Sequence, residues 1–193
     1  AEVLDAAPGE CGKVELLRDR WGVPHVFADT DAGAMYGLGY ATAQDRTFQM
    51  HYSLRIIQGR LAEIVGDVKK TRRNETALDN DRKMRTFGFH RAARQVAKEL
   101  DDETLGHLQA YSAGVNDYLE ANRRQLPAVF AAVGLEPEPW TPADCILSWW
   151  HLAQFFATDG TRDLMHYRNL TEGNPRRAMF GRGDARGGRR ALP

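Results

Sequence analysis

The stretch Gly37-Leu38-Gly39-Tyr40-Ala41-Thr42-Ala43-Gln44-Asp45-Arg46-Thr47-Phe48-Gln49-Met50 decides how this chain folds. It lies inside a helical pattern running from about Ala32 to Val65, for which Asp29, Thr30 and Asp31 offer N-caps. The first part of that pattern is built of small residues: Ala32, Gly33, Ala34, Gly37, Gly39, Ala41 and Ala43. A glycine costs an exposed helix about 1 kcal/mol relative to alanine. Glycines this close together therefore predict tight approach to another backbone, or a break near Gly39. Further on, Phe48, Tyr52 and Ile56, with Met50, Leu54 and Ile57, continue an apolar helical face.

Towards the N-terminus, Val14 and Leu16, then Val26 and Ala28, alternate with their neighbours in strand fashion, and Arg20-Trp21-Gly22-Val23-Pro24 lies between them. Residues 13–29 thus predict a strand pair, with Gly and Pro supplying the turn. The residues before it, 1–12, read as a loose, flexible N-terminus. Towards the C-terminus, 67–81 is dominated by charge and reads as a surface loop or short exposed helix. Residues 82–124 predict two helices. The second is the clearer, capped by Asp101 or Asp102 and carrying Leu105, Leu108, Tyr111, Val115, Tyr118 and Leu119 at helical spacing. Pro137, Pro139 and Pro142 around Trp140 make a rigid connector, and Thr141 or Asp144 can cap the helix after it. That helix, 145–157, is apolar nearly all round, which predicts burial on most faces. Residues 13–175 read as one folded domain. Residues 176–193, with arginines and glycines around the single acid Asp184, read as a tail.

Composition narrows the function. The 193 residues are 42% hydrophobic and 27% charged, ordinary for globular material, and their 26 basic and 26 acidic side chains cancel. No global field points to nucleic acid. The longest apolar run falls well short of the roughly 20 residues that a membrane-spanning helix needs. The histidines at 25, 51, 90, 107, 151 and 166 share no i, i+4 spacing, and no HExxH, GxSxG, P-loop or GxGxxG pattern occurs. Asp79-Asn80-Asp81 opens like a calcium loop, but Lys83 stands where a ligand belongs. Arg-Gly-Asp at 182–184 sits in an Arg/Gly-rich tail, where chance explains it. Cys11 and Cys145 are consistent with a disulfide or with two thiols. The chain holds no self-sufficient catalytic machinery of its own.

Five stretches, in order, carry a resemblance to the penicillin acylase family. Residues 17–28, Leu-Arg-Asp-Arg-Trp-Gly-Val-Pro-His-Val-Phe-Ala, are similar to the family's opening strand pair. Residues 37–50 are similar to its Gly/Tyr/Ala-Gln-Asp-Arg helix, and 58–66, Gln-Gly-Arg-Leu-Ala-Glu-Ile-Val-Gly, to that helix's ending. Tyr111-Ser112-Ala113-Gly114-Val115-Asn116 and Glu138-Pro139-Trp140-Thr141-Pro142-Ala143-Asp144 fit the same template. The match spans about residues 14 to 165.

The resemblance implies an α+β, mostly helical chain that forms part of an αββα N-terminal-nucleophile hydrolase sandwich, completed by a larger partner chain. It implies the small subunit of a penicillin-acylase-type amidohydrolase, with no catalytic residue here. The nucleophile, usually Ser, would begin the large β subunit cut from the same precursor, and 176–193 would be a remnant of the processed spacer. The substrate would be an N-acylated small molecule: a β-lactam side chain, an acyl-homoserine lactone or an acyl peptide. Counting from Trp140 places Trp149, Ala153, Phe156 and Ala157 at the acyl pocket and Asp163 as one ligand of a structural calcium ion, with no organic cofactor. Ala153 and Ala157 stand where larger residues are common, which implies a roomier pocket. The implied setting is periplasmic or secreted, without nucleic acid or membrane as partner. The alternatives are a non-catalytic helical interaction protein on the same template, and a nucleic-acid-binding domain using the Arg-rich tail.

Overall fold

The computed structural model describes residues 2–4, 11–68, 76–157, 164, 167, 168 and 171. The chain divides into a large unit, Ala1–Leu152, and a small one, Ala153–Pro193.

In the large unit the strand pair forms as the alternation predicts. β2 (Val14–Arg18) runs antiparallel to β3 (Pro24–Ala28), with Leu16 opposite Val26. The turn is held by Asp19, whose carboxylate accepts the backbone N–H groups of Trp21 and Val23 at 2.8 and 2.9 Å. The N-terminal residues read as loose contribute a third strand. β1 (Glu2–Val3) pairs with β2, and Leu4 and Cys11 are buried against Val14, Tyr36 and Ala110. Burial of those two apolar side chains offsets the cost of ordering so short a segment. No disulfide joins Cys11 to Cys145.

The long helix follows as α1 (Asp31–Gln58), capped by the Thr30 hydroxyl, which accepts from the Gly33 N–H at 3.0 Å. It ends at Gly59, whose φ of 70° is a left-handed C-cap that residues with a Cβ rarely adopt. A short α2 (Ala62–Val65) comes next. The helical irregularity lies at Arg46 (φ −136°, ψ 16°), not near Gly39. At Gly39 the other expectation holds, because the helix approaches a second backbone there.

The charged stretch read as a surface loop or short exposed helix contains the start of α3 (Ala77–Phe87), opened by a reciprocal capping box between Thr76 and Asp79. Asp81, polar in a polar sequence, is buried, because its carboxylate accepts the N–H groups of Leu61 (2.8 Å) and Ala62 (2.9 Å). With α4 (Phe89–Glu99) and α5 (Asp102–Ala121), the region expected to hold two helices holds parts of three. Asp101 caps α5 by accepting from the Thr104 N–H at 2.8 Å. A short α6 (Ala128–Ala132) precedes the proline connector.

The small-residue face of α1 is covered inside the chain. Gly33 and Gly37 lie on Cys11, Val14 and Val26, while Gly39 meets the backbone of Tyr111 on α5. The main core then gathers Ala43, Leu54, Ile57, Met84, Val115, Tyr118, Trp140 and Leu147.

α7 (Pro142–Phe156) departs from expectation. Within it Asp144 and Leu147 are buried, whereas Trp149 is 74%, Leu152 51%, Phe155 72% and Phe156 73% exposed. Burial on most faces is therefore corrected. One side of the helix meets this chain's core through Leu147, Cys145, Ile146 and Trp150; Ser148, His151 and Gln154 are half-buried, and Trp149, Leu152, Phe155 and Phe156 stand exposed. In the small unit, the described residues include the last turn of α7, where the Ala157 N–H donates to the Ala153 carbonyl at 2.8 Å.

Candidate functional site

Two of the motif stretches prove to be bound to each other. Arg18, at the end of β2, reaches α1 and donates to both carboxylate oxygens of Asp45 (2.8 and 3.2 Å) and to the Gln44 amide oxygen (2.5 Å). The same guanidinium donates to the Gly22 carbonyl of the hairpin turn at 2.8 Å. An arginine fork is the side chain suited to such a clamp. It fixes the sheet on the long helix.

A second clamp fixes the connector that launches α7. The N–H and C=O of Trp140 are both bound by the Asn116 amide, at 2.7 and 2.9 Å. The Trp140 indole N–H donates to Cys145 Sγ at 3.2 Å. Thr141 binds the Asp144 carboxylate through its N–H (2.9 Å) and hydroxyl (2.6 Å), forming the N-terminal cap. Beside them, Glu138 bridges two arginines: buried Arg55 (3.0 Å) and Arg60 (2.9 Å), while Glu63 also bonds Arg60 at 2.8 Å. The Arg60 hydrogen bond, opposed by burial and helped by the nearby Arg55 charge, holds the Glu138 carboxyl below its ordinary range. Burial pulls Arg55 down, and the two carboxylates push Arg60 up.

His51 is buried one turn from Arg55, edge-on to Phe130 (6.0 Å) and Trp140 (5.7 Å). Its ring nitrogens have no hydrogen-bond partner among the described residues. Burial above all, and then the Arg55 charge, pushes its pKa down to about 4. It is therefore a neutral ring packed between aromatics at ordinary pH.

The expected pocket residues lie along α7 and just past its end. Trp149 belongs to the large unit, and Ala153, Phe156 and Ala157 to the small one. All four are exposed, and Phe156 packs edge-on against Phe155 at 5.2 Å. Asp163, the expected calcium ligand, and the tail 176–193 lie outside the described residues. Among the described residues no group of three His, Cys, Asp or Glu side chains is placed to hold a metal ion.

Nothing in the described part resembles an activated nucleophile. The Ser112 hydroxyl donates to the Leu108 carbonyl (2.7 Å), and Cys145 beside it is a half-buried thiol whose pKa burial raises, so it packs instead of reacting. Sequence reading missed both clamps. Their members, Arg18, Gln44 and Asp45 in the first and Arg55, Arg60, Asn116, Glu138 and Trp140 in the second, lie within or beside the motif stretches, but the pairings between elements span 24 to 83 residues and leave no local spacing signal.

The architecture is a helical scaffold over a small antiparallel sheet that ends in a helix with a bare aromatic side. The penicillin amidase family model matches residues 13–186, and this chain belongs to that family. Among relatives, it is 38% identical over 135 residues to a penicillin acylase 2 proenzyme of a Pseudomonas species, covering 70% of this chain and 16% of that protein. It is 37% identical over 140 residues to the acyl-homoserine lactone acylase QuiP of Pseudomonas aeruginosa, covering 72% of this chain and 16% of that one. The chain spans about one sixth of the length of the curated relatives it matches. Among solved structures, a thermostable penicillin G acylase chain from Alcaligenes faecalis is similar, with a TM-score of 0.67 and 29% identity, over 93% of this chain and 96% of that one.

Proposed function

We propose that this chain is the small, non-nucleophilic subunit of a heterodimeric acylase that hydrolyses the amide bond of an N-acylated substrate. The single observation that carries the reading is the bare side of α7. Four large apolar residues, three of them aromatic, stand more than half exposed on one helix, and such a surface is ordinarily an interaction or ligand-binding surface. The lengths support it. The curated relatives are about six times longer than the matched segment, whereas the similar solved chain is matched over nearly all of its own length.

In this reading Trp149, Ala153, Phe156 and Ala157 form one wall of the acyl pocket, completed by a larger β subunit from the same precursor. That partner supplies an N-terminal serine. A free α-amine titrates at roughly 7.7–8.0, so it can take the hydroxyl proton near neutral pH once autoproteolysis has exposed it. The small alanines suit long or bulky acyl groups, as in acyl-homoserine lactones, β-lactam side chains or acyl peptides. We further propose Asp163 as one carboxylate ligand of a structural calcium ion. A hard cation needs roughly 6–8 oxygens. Asp163 would be one oxygen ligand of several, the rest supplied by the partner. A periplasmic or secreted setting suits this class, and no helix among the described residues is long and apolar enough to cross a membrane.

The test is intact-mass analysis of the native protein joined to an activity screen over acyl amides of graded length. Two co-purifying chains, the larger beginning with Ser, and amide hydrolysis requiring both, are expected. Unaided hydrolysis by the 193-residue chain, or a native protein with no second chain, ends the reading.

A further inference from the structure

The chain as a whole has balanced charge, yet residues 82–98 contain Arg82, Lys83, Arg85, Arg91, Arg94 and Lys98 and neither Asp nor Glu. Folding sets them on α3 and α4, which meet at Gly88, and leaves all of these side chains exposed. Among the described residues only Arg82 meets a carboxylate, that of Asp79 at 3.6 Å. The other five meet no carboxylate among the described residues, although Asp79 and Asp81 lie on α3 and Glu99 ends α4.

At the corner of the pair, against the end of α1, lies a cavity of about 330 Å³ whose lining includes Arg60, Arg85, His90 and Arg91. Arg60 is already matched by Glu63 and Glu138 and acts as a fixed wall. The Arg85 Nε donates to the Gly59 carbonyl at 2.8 Å, which anchors its stem and leaves the two Nη groups without a partner among the described residues. The Arg91 guanidinium folds over Gly88, its Nη2 lying 3.1 Å from where a Cβ on that residue would stand. Two guanidiniums with spare donors, Arg85 anchored through its Nε and Arg91 lying over Gly88, thus line one cavity, with the His90 imidazole beside them.

We propose that this cavity is a binding site for a compact phosphate group, held by the Arg85 and Arg91 guanidiniums. Guanidinium forks match phosphate oxygens two at a time, and such charge-assisted bonds are about twice as strong as neutral ones. The volume admits a phosphate together with part of the molecule that bears it. That molecule is either free in solution or a lipid headgroup, and the chemistry at the site is common to both. The site shares no residue with the acyl wall and does not rest on the acylase reading.

The native protein is titrated calorimetrically with inorganic phosphate against chloride at fixed ionic strength. It is separately sedimented with vesicles of phosphatidylcholine, with and without phosphatidic acid. Saturable binding is expected in at least one arm, weakened about tenfold or more by Arg91→Gln and by Arg85→Gln. Arg123→Gln, on the surface beyond α5 and paired with Glu120, should leave it unchanged. Phosphate binding alone assigns a soluble ligand. Arg91-dependent binding to phosphatidic acid vesicles alone assigns a headgroup. Melting in chloride shows that each variant folds, and Arg91→Gln decides alone if Arg85→Gln does not, since Arg91 anchors no backbone group among the described residues. No saturable binding in either arm, or binding indifferent to Arg91→Gln, overturns the proposal.

Discussion

Gly39 on α1 and Tyr111 on α5 meet backbone to backbone: a Cβ on Gly39 would collide with the Tyr111 carbonyl oxygen. The contact is reciprocated one turn away, where Gly114 faces the Tyr36 carbonyl and the Tyr40 amide. The two longest helices therefore touch through glycine on both sides, closer than any pair of residues with side chains allows.

This crossing leaves no room for a methyl group, and the obstructing atoms are backbone. Gly39→Ala should cost about 3 kcal/mol in urea denaturation, the upper end of ordinary overpacking. Gly106, also on α5, has open space around its missing Cβ. Gly106→Ala should stabilise by about 1 kcal/mol through helix propensity. Equal effects of the two substitutions would mean that α1 and α5 do not cross at Gly39.

Glu138 is the carboxylate shared by Arg55 and Arg60. Glu138→Gln leaves Arg55, 2% exposed, with Glu63 at 3.7 Å as its remaining carboxylate. Stranding a buried charge costs roughly 3–5 kcal/mol, and because Glu138 is half in water the expected loss is nearer about 2 kcal/mol. Glu120→Gln, which breaks an exposed pair with Arg123, should change stability by under about 0.5 kcal/mol. A Glu138→Gln protein as stable as the parent would show that the clamp is not needed.

His51 makes stability depend on pH. Its folded pKa of about 4 lies below the 6.5 of the unfolded chain, so on acidification the unfolded state takes the proton first. Above pH 6.5 both states are neutral and the contribution is flat. Between about pH 6.5 and 4 stability should fall, by up to about 3 kcal/mol in all. Glu138, held below its ordinary range by Arg60, adds a contribution that begins to fall away as pH drops through the ordinary carboxylate range. His51→Leu should flatten the slope between about pH 6.5 and 4.5, read from denaturation midpoints. An unchanged slope would place the sensitivity elsewhere.

On the acylase reading, Ala153→Phe should shorten the acyl wall. Each methylene excluded removes about 0.8 kcal/mol of burial, so losing room for two should lower kcat/KM for long acyl chains about tenfold or more relative to short ones. Equal losses across a graded acyl series would remove Ala153 from the pocket.

Much of this was legible from local chemistry. The strand pair at 14–28 shows in its two-residue alternation, α5 in its Asp101 cap and its 3–4 spacing, and the connector in its prolines. Glycines at 33, 37 and 39 announced a close approach without saying to what. The candidate wall was legible only through family resemblance, because a helix apolar all round has the same pattern whether one side or every side is covered. The clamps and the buried His51 were not legible, since their partners lie on other elements.

The residues by themselves determined the strand pair, the long first helix, α5 and the helix after the connector, because caps, turns and periodicity act within a few positions, while the motif stretches carried the resemblance to the family. Tertiary structure alone decided that Gly39 rests on Tyr111, that Asp81 turns inward to the amides of Leu61 and Ala62, that Glu2 and Val3 become a strand, and that α7 keeps an aromatic side bare. Each of these depends on groups far apart in the chain, whose meeting is set by how whole elements pack and not by any neighbour in sequence.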